Sequence, residues 1–370
     1  MAGESIQKVT MPKWGLSMTT GRIVEWFVEE GDEVAKGDDL VDIDTDKIAG
    51  TLESTATGPL RKIVAQVDQE LPIGATLALV APLDVSDDDI AAAAAEAEAE
   101  LEALAAAAEA GDDGPQPESV TVHGRTISYL TMQPAEDTDA TPVVLVHGYG
   151  GDKNSWLFVQ QPLSGSRPVH ALDLPGHGAS TKDVGDGSLD TLAAAVSGFL
   201  DEKGILTAHL VGHSLGGAVV AAVAAATPGK VASLTLLSPA GYGGTPNAAY
   251  LRGFAAAESR KQLKPLLGDL FADEGQVTRR LVDDLLKYKR LDGVPAALQT
   301  LLGTLLTDDD AQAVDTPALL EGVDVPVTVL WGAADRILPT PGGVDEVPGG
   351  HMLHMESANE VTRRIEQALA

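Results

Sequence analysis

From residue 5 to about 80, short runs of alternating apolar and polar residues are interrupted by Gly- and Asp-containing turns. Alternation with a period of two is the mark of half-buried strands, so an all-β region is expected. The pattern also repeats. Displacing the chain by 37 places sets Gly21 on Gly58, Ile23 on Leu60, Trp26 on Ile63 and Val34 on Leu71. The match continues through Gly37 on Gly74, Leu40 on Leu77 and Ile43 on Val80. Two matched halves predict a small sandwich with approximate twofold symmetry over residues 1–82.

The pattern changes at residue 83. Between 83 and about 118 there are twelve acidic residues and no Lys or Arg, and Ile90 to Ala110 is mostly Ala and Glu. Alanine favours helix, whereas Glu96/Glu100 and Glu98/Glu102 place like charges four apart. An exposed, partly helical linker is expected, with Gly111 to Pro117 as a flexible break.

From about 119 to 370, strands alternate with helices. Pro142 to His147, Val169 to Asp173, His209 to Gly212, Leu234 to Leu237 and Val327 to Trp331 read as apolar strands, and Leu215 to Thr227 reads as a helix. This order predicts a mostly parallel sheet with helices on both faces. Residues from about 241 to 320 carry several helical patterns and no clear strand. They predict a helical cap over one end of the sheet.

Composition narrows the chemistry. The formal net charge of −30 disfavours nucleic acid and anionic membranes as partners. No stretch of about twenty apolar residues suggests a membrane span, and Met1 to Gly15 does not read as a signal peptide. A soluble, cytoplasmic protein is expected. There are no cysteines, so disulfides, thiolate metal sites and cysteine nucleophiles are excluded. No metal site is expected.

Gly212-His-Ser214-Leu-Gly216-Gly217 fits G-x-S-x-G between a strand and a helix. A sharp strand-to-helix turn crowds the backbone, so small residues must flank the serine, whose hydroxyl is then exposed. The helix N-terminus favours a developing anion there. A serine hydroxyl needs a base to take its proton, and in this turn type an acid and then a histidine follow in chain order. Asp335, on the loop after the strand Val327 to Trp331, stands where the acid should be. His351 and His354 follow it. His351, after Gly349-Gly350 on a loop before the last helix, is preferred as the base, and His354 is expected to pack at the helix start. An oxyanion hole needs two aimed backbone N–H groups. Leu215, after the nucleophile, and Tyr149, in His147-Gly-Tyr-Gly-Gly151 after the first core strand, are the expected donors.

In the first region, Asp44-Thr-Asp-Lys47-Ile-Ala joins the two half-repeats, which places Lys47 near the tip of a hairpin. Met11-Pro-Lys-Trp-Gly15, Glu30-Gly-Asp-Glu-Val, Lys36-Gly37 and Thr45-Asp-Lys47 resemble the lipoyl domains of 2-oxo acid and acetoin dehydrogenase complexes. The resemblance implies lipoate carried covalently on Lys47 as N6-lipoyllysine, attached by a dedicated enzyme. Biotin carriers share the fold but flank their lysine with methionines, and here the neighbours are Asp46 and Ile48. The residues around Ser214 and Tyr149, with Asp173-Leu-Pro-Gly-His177-Gly178, resemble the α/β-hydrolase superfamily, in which His177 reads as structural.

Together the two regions resemble the acyltransferase subunits of acetoin dehydrogenase complexes, in their lipoyl-plus-hydrolase form. That resemblance implies transfer of an acetyl group from dihydrolipoyl-Lys47 to coenzyme A through Ser214. It also implies thiamine-dependent acetoin dehydrogenase subunits and dihydrolipoamide dehydrogenase as partners. The chain departs from the usual acyltransferase subunits. None of its eight histidines begins an H-x-x-x-D-G motif, and its linker has no basic residue. Two alternatives stay open: a thioesterase or carboxylesterase, and a non-catalytic lipoyl carrier with a scaffold hydrolase domain. Nine of the 25 Lys and Arg fall in the cap, namely Arg252, Arg260, Lys261, Lys264, Arg279, Arg280, Lys287, Lys289 and Arg290. They are read either as helix-surface charges paired with acids or as a site for coenzyme A phosphates or the acidic lipoyl domain.

Overall fold

A computed structural model describes residues 6–12, 20–44, 49–54, 56–109 and 115–369. The chain forms two compact units, Met1–Gly114 and Pro115–Ala370.

The first unit holds strands β1 (Gln7–Thr10), β2 (Thr20–Trp26), β3 (Glu33–Val34), β4 (Asp39–Asp44), β5 (Ala49–Glu53), β6 (Gly58–Ile63), β7 (Glu70–Pro72) and β8 (Thr76–Val80). They make two four-stranded sheets, ordered β1-β8-β6-β3 and β5-β4-β2-β7. The internal repeat is structural: β2, β3 and β4 recur as β6, β7 and β8. The halves exchange their short strands, because β3 pairs with β6 and β7 pairs with β2. Ile23, Leu40 and Ile43 are fully buried, and so are their counterparts Leu60, Leu77 and Val80. β4 and β5 are antiparallel and paired up to Asp44 and Ala49. The four intervening residues, Lys47 among them, lie outside the described residues.

Helix α1 (Asp87–Glu109) departs from the exposed linker expected of this segment. Ile90, Ala94 and Ala97 are buried, and Leu101 packs against the sandwich core. Their spacing of four, three and four residues lines one helix face. Ile90 and Ala94 meet Leu79, Ala81 and Val85. Ser86 caps the helix by accepting the Asp89 amide, and Asp87, Asp88 and Asp89 suit the positive end of the helix dipole. Arg61 secures the approach through the carbonyls of Pro82 and Val85 and the Asp87 carboxylate. Asp87, Asp88, Asp89, Glu96 and Glu98 are exposed on the other faces.

The second unit is an eight-stranded sheet of β9 (Glu118–Val122), β10 (Arg125–Met132), β11 (Val143–Val146), β12 (Val169–Leu172), β13 (Ala208–His213), β14 (Val231–Leu237), β15 (Val327–Gly332) and β16 (Asp345–Val347). Its order is β16-β15-β14-β13-β11-β12-β10-β9. β11 to β16 pair in parallel and the β9/β10 end is antiparallel. Strands β11 and β12 are buried throughout, as expected of a sheet covered on both faces. Helices α2 (Leu157–Leu163), α3 (Leu189–Glu202) and α4 (Leu215–Ala226) lie between the early strands. Between β14 and β15 the chain forms α5 (Ala248–Ala256), α6 (Arg260–Gly268), α7 (Arg279–Lys289), α8 (Val294–Leu305) and α9 (Thr316–Leu320). These are the cap helices. α10 (Leu353–Glu356) and α11 (Ala358–Ala368) close the chain.

Replacing Ile90 with Ala should remove about 2 kcal/mol of docking from α1, roughly thirtyfold in its docked-to-open ratio. Amide hydrogen exchange over residues 91–97 reads this directly. Unchanged protection would show that the helix does not depend on that contact.

Candidate active site

β13 ends at His213 and α4 begins at Leu215, so Ser214 must reverse the chain within one residue. It does so at φ 52° and ψ −117°, a region that L-residues rarely occupy. The flanking glycines make that possible. A Cβ on Gly212 would stand 2.3 Å from the Gly216 carbonyl oxygen, and one on Gly216 would stand 2.2 Å from that of Val146. The turn is locked from both sides. The Ser214 amide donates to Leu237 O at 2.9 Å, and Ser214 O accepts from Gly217 and Ala240 at the same distance.

Asp335 follows β15 and His351 follows β16, so neighbouring parallel strands bring them to one edge of the sheet. His351 Nδ1 lies 2.8 Å from Asp335 Oδ2. The other carboxylate oxygen accepts the amides of Ile337 and Leu338 at 2.8 and 2.9 Å. Burial works against the charged carboxylate, but the His351 ring and these two amides outweigh it and hold Asp335 below the usual carboxylate range. No hydrogen bond joins Ser214 Oγ to His351. Both side chains border one cavity of about 350 Å³. The cap roofs it, with Tyr250, Leu251 and Phe254 from α5 and Leu281, Leu285 and Tyr288 from α7.

The loop after β11 is fixed by two histidines. His147 Nδ1 donates to Gly148 O at 2.7 Å, and its Nε2 accepts the Leu174 amide at 3.0 Å. His177 Nδ1 faces Pro175 O at 3.1 Å, and its Nε2 accepts the Gly150 amide at 3.0 Å. Each ring must therefore carry its proton on Nδ1 and remain neutral. Burial enforces this, lowering both histidines and holding His177 at about 3. The Gly151 amide donates to Gly148 O. Gly150 and Gly151 are thus occupied, and the Tyr149 amide has no acceptor among the described residues, nor has that of Leu215 at the start of α4. Beneath the loop, Lys153 Nζ meets Asp173 Oδ2 at 2.7 Å in a buried ion pair. Asp173 also accepts the amides of Lys153 and Ala179.

Two features had no signal in the sequence. His213 Nε2 donates to the backbone carbonyl of His351 at 2.9 Å, tying the Ser214 turn to the His351 loop. Phe254 fills the space over Gly150, where a Cβ would stand 2.3 Å from its ring. Their contacts join residues more than a hundred positions apart, which local pattern cannot reveal. His354 is fully buried on α10 between the rings of Trp156 and His213, at 4.6 and 4.5 Å. Neither of its ring nitrogens has a hydrogen-bond partner, and burial holds it at about 3. It packs, as its place in the helix suggested.

Residues 141–358 match a model of the alpha/beta hydrolase fold, and residues 7–80 match a model described as a biotin-requiring enzyme. A meta-cleavage product hydrolase from Pseudomonas fluorescens IP01 superposes with a TM-score of 0.60 at 18% identity, over 68% of this chain and 96% of that one. That likeness establishes the fold. The chain is 44% identical to the dihydrolipoyllysine-residue acetyltransferase component of the acetoin cleaving system of Pseudomonas putida, over 97% of both chains. It is 40% identical to the component of the same name from Cupriavidus necator, over 99% of this chain and 98% of that one. A lipoyl-type sandwich and a hydrolase-fold unit in one chain, matched end to end by these relatives, place it in the family of acetoin-cleaving-system dihydrolipoyllysine-residue acetyltransferase components.

Proposed function

We propose that the chain moves an acetyl group from a dihydrolipoyl thioester carried on Lys47 to the thiol of coenzyme A, through an acyl-Ser214 ester. One observation carries this reading: a serine on a strained turn shares a largely apolar cavity with an Asp335–His351 pair, in a chain that also holds a lipoyl-type unit. A lipoyl group on Lys47 supplies the carrier thiol. The position between the paired strands β4 and β5, at the junction of two matched halves, supports Lys47 as the attachment point. Because the chain has no cysteine, every thiol in the reaction belongs to a carrier or a substrate.

His351 Nε2 takes the Ser214 proton as Oγ bonds to the thioester carbonyl carbon. The Tyr149 and Leu215 amides hold the oxyanion. Asp335 keeps the His351 proton on Nδ1 and stabilises the imidazolium. His351 then returns its proton to the leaving sulfur as the carbon–sulfur bond breaks. In the second half His351 accepts the proton of the coenzyme A thiol. The new sulfur bonds to the acyl carbon, and Ser214 recovers its hydroxyl. Acyl groups, protons and thiols balance; because water would compete with the thiol for the acyl-serine, transfer requires a lining that excludes it. The aromatic and aliphatic roof from α5 and α7 supports that requirement. Thiamine-dependent acetoin-cleaving subunits would acylate the arm, and dihydrolipoamide dehydrogenase would reoxidise it. The cytoplasm is the expected compartment.

Incubation with S-acetyldihydrolipoamide and coenzyme A should yield acetyl-CoA, and Ser214→Ala should slow it by about a thousandfold or more. Free acetate as the sole serine-dependent product would make the site a thioesterase. Asp335→Asn should lower kcat by about 10³–10⁴ with KM retained, because Nδ1 would lose its acceptor. Equal losses in kcat and thermal stability would instead assign Asp335 a folding role. His177→Leu, which cannot accept the Gly150 amide, should lower kcat by roughly 10- to 100-fold. His177→Gln, which retains an acceptor, should recover most of it. If the two variants behave alike, His177 does not position the oxyanion loop.

A further inference from the structure

The nine basic residues of the cap do not share one fate. Arg252 is paired with Asp310, Arg260 with Asp283, and Lys287 with Asp284 at 3.2 Å. Lys289 is buried, with its ammonium on the carbonyls of Phe254 and Ala255, and burial pushes it down. It serves the cap's own packing and faces no ligand. Lys261, Lys264 and Arg290 are exposed and have no carboxylate partner among the described residues.

These three belong to one place. Two clefts, of about 410 and 570 Å³, share Arg260 and Lys261 as a common wall between α6 and α7. Lys264 completes the first, and Lys287 and Arg290 complete the second. Five cations and two carboxylates, Glu274 and Asp283, line the clefts, and Asp284 pairs with Lys287 at their edge, so a cationic excess remains in a chain whose net charge is −30.

Helix α7 joins this cleft to the catalytic cavity. Its Leu281, Asp284, Leu285 and Tyr288 line the cavity, spaced three, one and three residues apart. Asp283, Leu286, Lys287 and Arg290 line the cleft with the same spacing, displaced by two residues. Two residues turn a helix by about 200°, so the two sets occupy opposite faces. The wall between them is one helix, about 10 Å thick. Asp284 is exposed and still borders the cavity, which marks an opening at the edge of α7. The Lys287 ammonium sits beside it, so the cationic rim reaches that opening.

We infer that this cleft binds the phosphates of the acyl acceptor while its thiol-bearing tail passes the edge of α7 toward Ser214. The inference rests on the transfer reading given above. A ligand with phosphates at one end, a thiol at the other and a flexible chain between fits a cationic cleft set one helix away from an apolar cavity. Arg and Lys make charge-assisted hydrogen bonds to phosphate oxygens, and Arg290, which no carboxylate holds among the described residues, offers bidentate geometry.

The test compares two acceptors with the whole protein: coenzyme A, and pantetheine, which has the tail and thiol without phosphates. The variant Lys261→Gln/Lys264→Gln/Arg290→Gln removes the exposed cations that no ion pair holds. Its KM for coenzyme A should rise by about tenfold or more, while its KM and kcat with pantetheine stay at wild-type values. Unchanged pantetheine kinetics also report an intact fold. An unchanged KM for coenzyme A overturns the inference. So does an equal rise for both acceptors, which would place the effect in the cavity. If the wild-type protein forms acetate alone with either thiol, the transfer reading falls and this inference with it. A pantetheine product without any preference for coenzyme A leaves transfer standing and removes only the cleft.

Discussion

The active site depends on one backbone conformation. Ser214 sits at a positive φ that costs a non-glycine residue on the order of 1–3 kcal/mol. The strain persists because the surroundings over-determine it. Gly212, Gly216 and Gly217 leave the strand and helix packed too closely for any side chain, and three backbone hydrogen bonds fix the turn. From this one residue follow the exposed hydroxyl, the orientation of the first α4 amide and the arrival of α4 under β11. The helix is mostly alanine and valine and buried from Leu215 to Ala224, so it cannot shift to relieve the serine.

Around that turn, the site is built from histidines that burial keeps uncharged. His147, His177, His213 and His354 are all buried, and in each case desolvation is the leading reason for a lowered pKa. His351 differs in having a carboxylate partner. A charge arriving on its imidazole finds Asp335 at 2.8 Å, whereas the other four rings face carbonyls, amides or aromatic edges. One ring meets a carboxylate, and the other four serve packing and loop positions. The buried Lys153–Asp173 pair belongs to the second class. Removing either partner would strand the other charge in the interior, so the pair specifies a loop position more than it adds net stability.

What was legible in the sequence follows the range of the interaction involved. The 37-residue repeat survived into the sandwich because both halves solve the same packing problem with residues of the same size. Ser214 was legible because steric crowding writes glycines next to it. The meeting of Asp335 with His351 was legible through chain order and loop position, and their carboxylate–imidazole bond follows from adjacent parallel strands. The docking of α1 was not legible. Its buried face is largely alanine, and Ile90, Leu101 and Leu104 are the large apolar residues in a stretch of alanine and acid. The sorting of the cap cations was equally hidden. Lys287 and Lys289 are two residues apart and alike in sequence, yet one is exposed beside a carboxylate and the other is buried on carbonyls. Helical phase decides between them, and phase is not readable until the cap has been placed.

The same phase separates two electrostatic environments that a net charge alone would blend. A charge of −30 opposes a polyanionic acceptor at long range. At physiological ionic strength that opposition is screened beyond about 8 Å. What such a ligand meets at contact is the local set of charges, and between α6 and α7 that set is cationic. One helix face further in, the lining is aromatic and aliphatic, where a charged phosphate would be costly and a thioester is not. An acceptor that keeps its charges outside and carries a neutral thiol inward satisfies both environments. The lining is thereby matched to the neutral, thiol-bearing end of such an acceptor and the cleft to its charged end.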